Sequence, residues 1–208
     1  MKRTFSFVDL AGFTALTETH GDETAADLVE HFTDVVDGAL GKDGARVQTI
    51  GDAVFLVSRE PSAALCVLKR VWQRADEERH FPALRAGVHH GDATQRGNQF
   101  YGTTVNVAAR VAAQAAGGQV LGTEVVADAA RKDGLTVRSL GLVALKNLRE
   151  PIHLFGLGLG GAAPDAIDPV CRMRVTPSET SVHLELEGQE FWFCSRACLE
   201  RFLREERP

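Results

Sequence analysis

Residues 7–14 read Phe7-Val-Asp9-Leu10-Ala-Gly12-Phe13-Thr14: an apolar run, a carboxylate, and a small-residue turn. Residues 4–8 predict a short strand that ends at Asp9. A helix is expected from near Gly12, and a second after Asp22, where Leu28, Val29, Phe32, Val35, Val36 and Ala39 recur at helical spacing. Working outward, Val47-Gln48-Thr-Ile-Gly51-Asp52-Ala-Val-Phe55 holds two strand runs, 46–50 and 53–57, parted by Gly51-Asp52, which is a hairpin signal. A helix over 61–79 opens with Pro61, a residue favoured at the first helical turn. A strand over 84–88 and an Ala-rich helix over 105–115, stopped by Gly117-Gly118, come next. Further short strands are expected at 119–121, 136–140 and 152–155. Strands and helices interleaved around a central hairpin predict an α+β sandwich with helices on one face of the sheet.

Composition narrows the function classes. The chain has 208 residues, 44% hydrophobic and 25% charged, which is the mix of a water-soluble globular protein. The net charge is −5 and the 23 basic residues are dispersed, so neither a nucleic acid nor an anionic membrane is the expected partner. No apolar run approaches the roughly 20 residues of a bilayer span. Met1-Lys2-Arg3 leads into too few apolar residues for a signal peptide, and a cytoplasmic location is expected. Cys66 lies alone in an apolar stretch and reads as a small core residue, whereas Cys171, Cys194 and Cys198 cluster near the end.

Asp9 and Asp52 stand at matching places, a strand end and a hairpin turn. In a sandwich whose first strand neighbours the hairpin, the two carboxylates converge, as a Mg²⁺ or Mn²⁺ site requires. The turn at Gly12, Phe13 and Thr14 offers backbone N–H groups at a helix N-terminus to a polyphosphate. Taken singly, an Asp that ends a strand is more often a cap or turn residue. Asn106 and Arg110, four apart in Tyr101-Gly-Thr-Thr-Val-Asn106-Val-Ala-Ala-Arg110, share one helix face.

These blocks, 7–14, 47–55 and 100–111, together resemble the class III nucleotidyl (adenylyl/guanylyl) cyclases over residues 1–157. Residues 85–92 and 145–151 resemble that family's weaker blocks. The resemblance implies a ferredoxin-like cyclase sandwich and a conversion of ATP to cyclic AMP and pyrophosphate. It implies two Mg²⁺ or Mn²⁺ ions per site on Asp9 and Asp52, with the Leu10 carbonyl as a further contact. Asn106 would orient the ribose, Arg110 would neutralise the α-phosphate, and Lys146 would bind the triphosphate, although Asn147 stands where Gly usually follows. Sites in that family form between two domains, so a homodimer is implied. Gln48 and Gln99 occupy the base-reading positions where adenylyl cyclases usually carry Lys and Asp. Either amide can flip, so the pair could read adenine, guanine or a pyrimidine edge. A cyclase for another nucleotide, or a catalytically weak nucleotide- or metal-binding regulator, are the alternative readings.

Residues 156–167 are rich in Gly, Ala and Pro, and a linker is placed at 158–167. Residues 168–208 resemble the YHS domain, a small TRASH-like metal-binding fold, through Asp168-Pro-Val-Cys171-Arg172-Met and Phe191-Trp-Phe-Cys194-Ser-Arg-Ala-Cys198. Arg172 replaces a usual Gly there, which is expected to alter the first loop. A strand-like run over 181–193 and a helix over 195–206 are predicted. Cys-x₃-Cys at a helix start puts two sulfurs within reach of one ion, so Zn²⁺ or another thiophilic ion is the expected cofactor of Cys171, Cys194 and Cys198. The alternative is a small apolar cluster behind Trp192 and Phe202. His183 could serve as a fourth ligand, but an exposed strand histidine is the favoured reading. Some forty residues bury too little surface to fold without a metal or a partner.

Overall fold

In the computed structural model, which describes residues 1–78, 81–159, 166–178 and 181–205, alternation along the first strand sets the architecture. In β1 (Lys2–Leu10), Val8 and Leu10 point to one face of the sheet and Phe5 and Phe7 to the other, so both faces need cover. The chain continues through α1 (Phe13–His20), α2 (Asp22–Leu40), β2 (Gly44–Ile50), β3 (Ala53–Ser58), α3 (Pro61–Glu77) and β4 (Leu84–Asp92). These elements set β4, β1, β3 and β2 side by side, the ferredoxin-like βαββαβ order. A small hairpin of β5 (Thr94–Arg96) and β6 (Gln99–Tyr101) leads to α4 (Thr103–Ala112). Beyond it lie β7 (Val120–Thr123), α5 (Glu124–Lys132), β8 (Thr136–Val143) and β9 (Ile152–Gly158). The complete sheet runs β2-β3-β1-β4-β7-β9-β8, with β4 and β7 its parallel pair.

The helices do not all lie on one face, contrary to the sequence expectation. α2, α3 and α5 cover one face through Phe32, Val36, Leu65, Leu68, Val71 and Val126. α4 covers the other, where Ala108 joins Phe5 and Phe55. Hydrophobic spacing identifies a helix but not the side of the sheet on which it lands. α5 and the β5–β6 hairpin were absent from the sequence reading, the hairpin strands being three residues each. Cys66 is exposed rather than a core residue; it lies on the outer face of α3, where Arg70 donates to its sulfur at 3.0 Å. Apolar neighbours surround it in sequence, but the helical turn aims it away from them.

The C-terminal module contains β10 (Ala166–Ile167), β11 (Arg174–Val175), β12 (Val182–Leu186), β13 (Gln189–Phe193) and α6 (Arg196–Glu205). The single run expected over 181–193 is instead a hairpin, reversed at Glu187-Gly188, both with positive φ. The Gly-rich stretch is not all linker: 156–158 complete β9, Leu159 is buried, and 166–167 pair with β11. Residues 160–165 lie outside the described residues. The module packs on the larger domain. Met173 bridges to Pro82, Arg174 pairs with Asp76, and both the backbone N–H and Nε of Arg174 donate to the Phe81 carbonyl. The partner that so short a module needs is thus the rest of its own chain.

α4 sits unusually close to the sheet. A Cβ added at Gly87 of β4 would lie 1.9 Å from the Ala112 nitrogen, so backbone meets backbone with no side chain between. Gly87→Ala must push α4 outward, and a loss of about 1–3 kcal/mol is expected from overpacking. Urea unfolding checks this as a lower midpoint at unchanged slope.

Candidate active site and a thiol-imidazole cluster

The ladder between β1 and β3 pairs Asp9 with Ala53, the residue directly after Asp52. The hairpin turn leaves Ile50 opposite Ala53, with Gly51 at φ +60, a conformation that glycine adopts without steric cost. The Leu10 N–H donates to the Asp52 carbonyl at 3.3 Å, tying strand end to turn. The two carboxylates expected to converge are therefore neighbours. Arg85, opposite Asp9 on β4, donates from Nε to Asp9 Oδ2 at 2.7 Å and pairs with the same oxygen through Nη2. Asp9 Oδ1 is buried and has no hydrogen-bond partner. Burial, followed by hydrogen bonding to Asp52 and its like charge, pushes Asp9 up to about 6, against the pull of Arg85. A proton shared with Asp52 or a bound cation would satisfy the orphan oxygen. The donor set fits a hard divalent ion, since both side chains supply oxygen and their charges repel until neutralised.

α1 opens directly after this pair. Gly12 caps it at φ +79, with Phe13 half-buried and Thr14 exposed, and the Ala11 N–H is taken by the Ala83 carbonyl at 2.8 Å. Gln48 lies opposite Phe55 on the sheet face that carries Asp9, and both Gln48 and Gln99 are half-buried. Asn106 and Arg110 share the exposed face of α4. Among the described residues, neither side chain has a hydrogen bond or ion pair, to the Asp pair or elsewhere. Lys146 is exposed on the loop after β8. Asn147, at φ +66, keeps the backbone form that a glycine would take, and Asn tolerates that region better than most residues.

The module carries a second cluster. The Cys171 and Cys194 sulfurs are 3.4 Å apart and those of Cys194 and Cys198 3.5 Å, well beyond a disulfide bond. His20, the last residue of α1, brings Nε2 to 3.8 Å from Cys194 and 3.9 Å from Cys198. The four ligand atoms all lie within 4.8 Å of one another. Hydrogen bonding from Cys171, its largest influence, draws Cys194 down to about 6. The same bond raises Cys171, while burial lifts Cys198 to about 12. Asp168 organises both loops: Oδ1 accepts from the Val170 and Cys171 N–H groups and Oδ2 from that of Cys194. His183 is no part of the cluster. It is exposed, stacks on Trp192 at 4.9 Å and meets the Ser181 carbonyl, as the favoured sequence reading had it. Arg172 takes φ +64, so the loop keeps glycine-like geometry despite the substitution.

The adenylate and guanylate cyclase catalytic-domain model matches residues 2–157, and the YHS domain model matches 166–207. The chain belongs to the adenylate/guanylate cyclase family. The chain is 34% identical over 173 residues to a pH-sensitive adenylate cyclase of Mycobacterium tuberculosis, covering 78% of this chain and 44% of that one. An adenylate cyclase of Glutamicibacter nicotianae is 32% identical over 169 residues, covering 81% and 42%. The chain thus spans less than half the length of these curated relatives. Among solved structures, an adenylate/guanylate cyclase/hydrolase from Silicibacter pomeroyi shares the fold at TM-score 0.67 and 24% identity, covering 76% of this chain and 96% of that one. A Trypanosoma brucei adenylate cyclase domain does so at TM-score 0.63 and 24% identity, covering 78% and 92%.

Sequence reasoning overlooked three side chains of the cyclase domain and its module. Arg85 carries no motif of its own, yet strand alternation puts it on the Asp9 face once β1 and β4 pair. Asp168 sits in the Cys171 block without a stated purpose. His20 had no signal, since about 150 residues separate it from the first cysteine that it meets.

Because the proton on Asp9 is bound more tightly in the folded cyclase than in the unfolded chain, it stabilises the fold below the ordinary carboxyl pKa of 3.8. That contribution disappears as pH rises through about 6. Side-chain carboxyl NMR on metal-free protein should show one aspartate titrating near 6. Asp52→Asn, or saturating Mg²⁺, should move it down toward the ordinary range.

Proposed function

We propose that this chain is a nucleotidyl cyclase that converts ATP to 3′,5′-cyclic AMP and pyrophosphate at sites shared between two copies. The observation that carries the reading is the Asp9–Asp52 pair, with its buried, partnerless oxygen, set at the N-terminal turn of α1. Two Mg²⁺ or Mn²⁺ ions, held by Asp9, Asp52 and the Leu10 carbonyl, would supply acidification of the ribose 3′-hydroxyl and neutralisation of the triphosphate. Arg85 keeps one Asp9 oxygen oriented and leaves the other for a cation. Gly12, Phe13 and Thr14 present backbone N–H groups to phosphate oxygens, and Lys146 adds a positive charge. The 3′-oxygen attacks the α-phosphorus in line and pyrophosphate leaves, with Arg110 meeting the growing charge and Asn106 holding the ribose.

The homodimer is supported by the exposed, unpartnered Asn106–Arg110 face, which a second copy can bring to the first copy's acid pair. The location proposed is the cytosol, where nucleoside triphosphates and reduced thiols coexist. No helix among the described residues is long and apolar enough to cross a membrane. The module's cysteines would bind Zn²⁺ or another thiophilic ion.

A second reading, a different base, is favoured by Gln48 and Gln99, because half-buried amides can present either edge. Gln48→Lys with Gln99→Asp should raise the ratio of ATP to GTP turnover by tenfold or more, since a fitted polar site rejects mismatched edges strongly. An unchanged ratio would remove both residues from base recognition.

Asp9→Ala and Asn106→Ala should each abolish cyclic nucleotide formation. Mixed and allowed to exchange subunits, they should recover about a quarter of the wild-type rate, because one of two sites in each hybrid is whole. Demonstrated exchange without recovered activity would sink the shared site.

A further inference from the structure

His20 belongs to the cyclase domain and the three cysteines belong to the module, so the cluster they form spans both. Tetrahedral coordination with Zn–S of about 2.3 Å and Zn–N of about 2.0 Å requires edges of about 3.8 Å between sulfurs and about 3.5 Å from sulfur to nitrogen. The four edges among Cys171, Cys194, Cys198 and His20 that are hydrogen-bonded measure 3.4, 3.5, 3.8 and 3.9 Å. Three sulfurs and one imidazole at this spacing match a closed structural site, with no position left for water. The loops are held independently of any ion, by Asp168 on the backbone of Cys171 and Cys194.

The position of the site gives it a consequence. His20 ends α1, and Gly12 caps its start, so both ends of one short helix touch the module. At the far end Arg201 donates to Thr19 Oγ1 at 3.1 Å and to the Glu18 carbonyl at 3.3 Å. At the near end Arg172, the neighbour of Cys171, lies so close that a Cβ on Gly12 would stand 2.5 Å from its Cγ and 2.6 Å from its Cβ. Arg172 holds this place at φ +64, a form costing a non-glycine residue about 1 kcal/mol. A glycine there would avoid that cost and lose the side chain. Arg172 is exposed, and its Cδ would lie 3.8 Å from that same Cβ on Gly12.

We propose that Cys171, Cys194, Cys198 and His20 bind one thiophilic divalent cation, and that this shared ion latches the module along α1 and brings Arg172 to Gly12 as a cationic flank for the triphosphate. The nucleotide half rests on the cyclase reading above; the metal and latch half does not. Loss of the ion would weaken the contact between the module and α1 first.

The test uses the full-length chain, reduced, with Mg²⁺ in constant excess and one equivalent of Zn²⁺ or Co²⁺ added. Wild type should bind one ion per chain, and the Co²⁺ form should show the visible absorption of a tetrahedral three-sulfur, one-nitrogen site. His20→Ala should weaken binding at least tenfold and alter that spectrum. His20→Cys should restore tight binding with a four-sulfur spectrum, which separates a lost ligand from a damaged fold. Hydrogen exchange across residues 13–20 should slow at least tenfold on Zn²⁺ addition in wild type and His20→Cys, but not in His20→Ala. Binding of a non-cyclisable ATP analogue should tighten several-fold with Zn²⁺ in wild type and not in Arg172→Gly. An unchanged spectrum and affinity in His20→Ala, or no ion bound by wild type, overturns the shared site. Equal tightening in Arg172→Gly and wild type overturns the flank. If the analogue does not bind at all, the cyclase reading fails, while exchange over 13–20 still decides the latch.

Discussion

The backbone ladder joining β1 to its two neighbours is the constraint from which the rest follows. Register pairs Asp9 with Ala53 on one side and with Arg85 on the other, so a single strand end receives a second carboxylate and a guanidinium. Shifting that register by one residue would turn Asp9 toward α2 and α3, burying an ionised group among Phe32, Val36 and Leu68. The apolar faces on both sides of β1 therefore protect the register, and through it the site. Core packing and site geometry are one requirement here.

The same strand sets how charge is balanced. Arg85 neutralises one oxygen of Asp9, while burial and Asp52 work against ionisation of the other. The result is a site of unsatisfied negative charge, poised for a cation, beside a helix N-terminus suited to an anion. Under the proposed function, those opposite preferences, a few residues apart in sequence, would serve a metal-bound polyphosphate. The exposed Asn106–Arg110 face of α4 holds its position because Gly87 lets the helix backbone rest directly on β4.

The module extends this economy. Some forty residues with two short hairpins and one helix bury a core around Phe193, Cys171 and Cys198, and lean on α1, α3 and the strand entrance at Phe81 and Pro82 for the rest. Asp168 is fully buried, yet its carboxylate accepts three backbone hydrogen bonds, the condition under which a buried charge is tolerated. Contacts with both ends of α1 make the module part of the surroundings of the candidate site.

Local pattern was enough to read most strands and helices, the hairpin at Gly51-Asp52, the convergence of Asp9 with Asp52, and the grouping of three cysteines. Each of these depends on side-chain periodicity, turn chemistry or short spacing, which are properties of neighbouring residues. Tertiary structure alone decided that α4 crosses to the opposite face, that Cys66 faces solvent, and that Arg85 clasps Asp9. It alone decided that His20 reaches the cysteines and Arg172 reaches Gly12. These outcomes depend on which surfaces meet after burial and strand pairing are settled together, and no local spacing encodes a contact between residues 20 and 194.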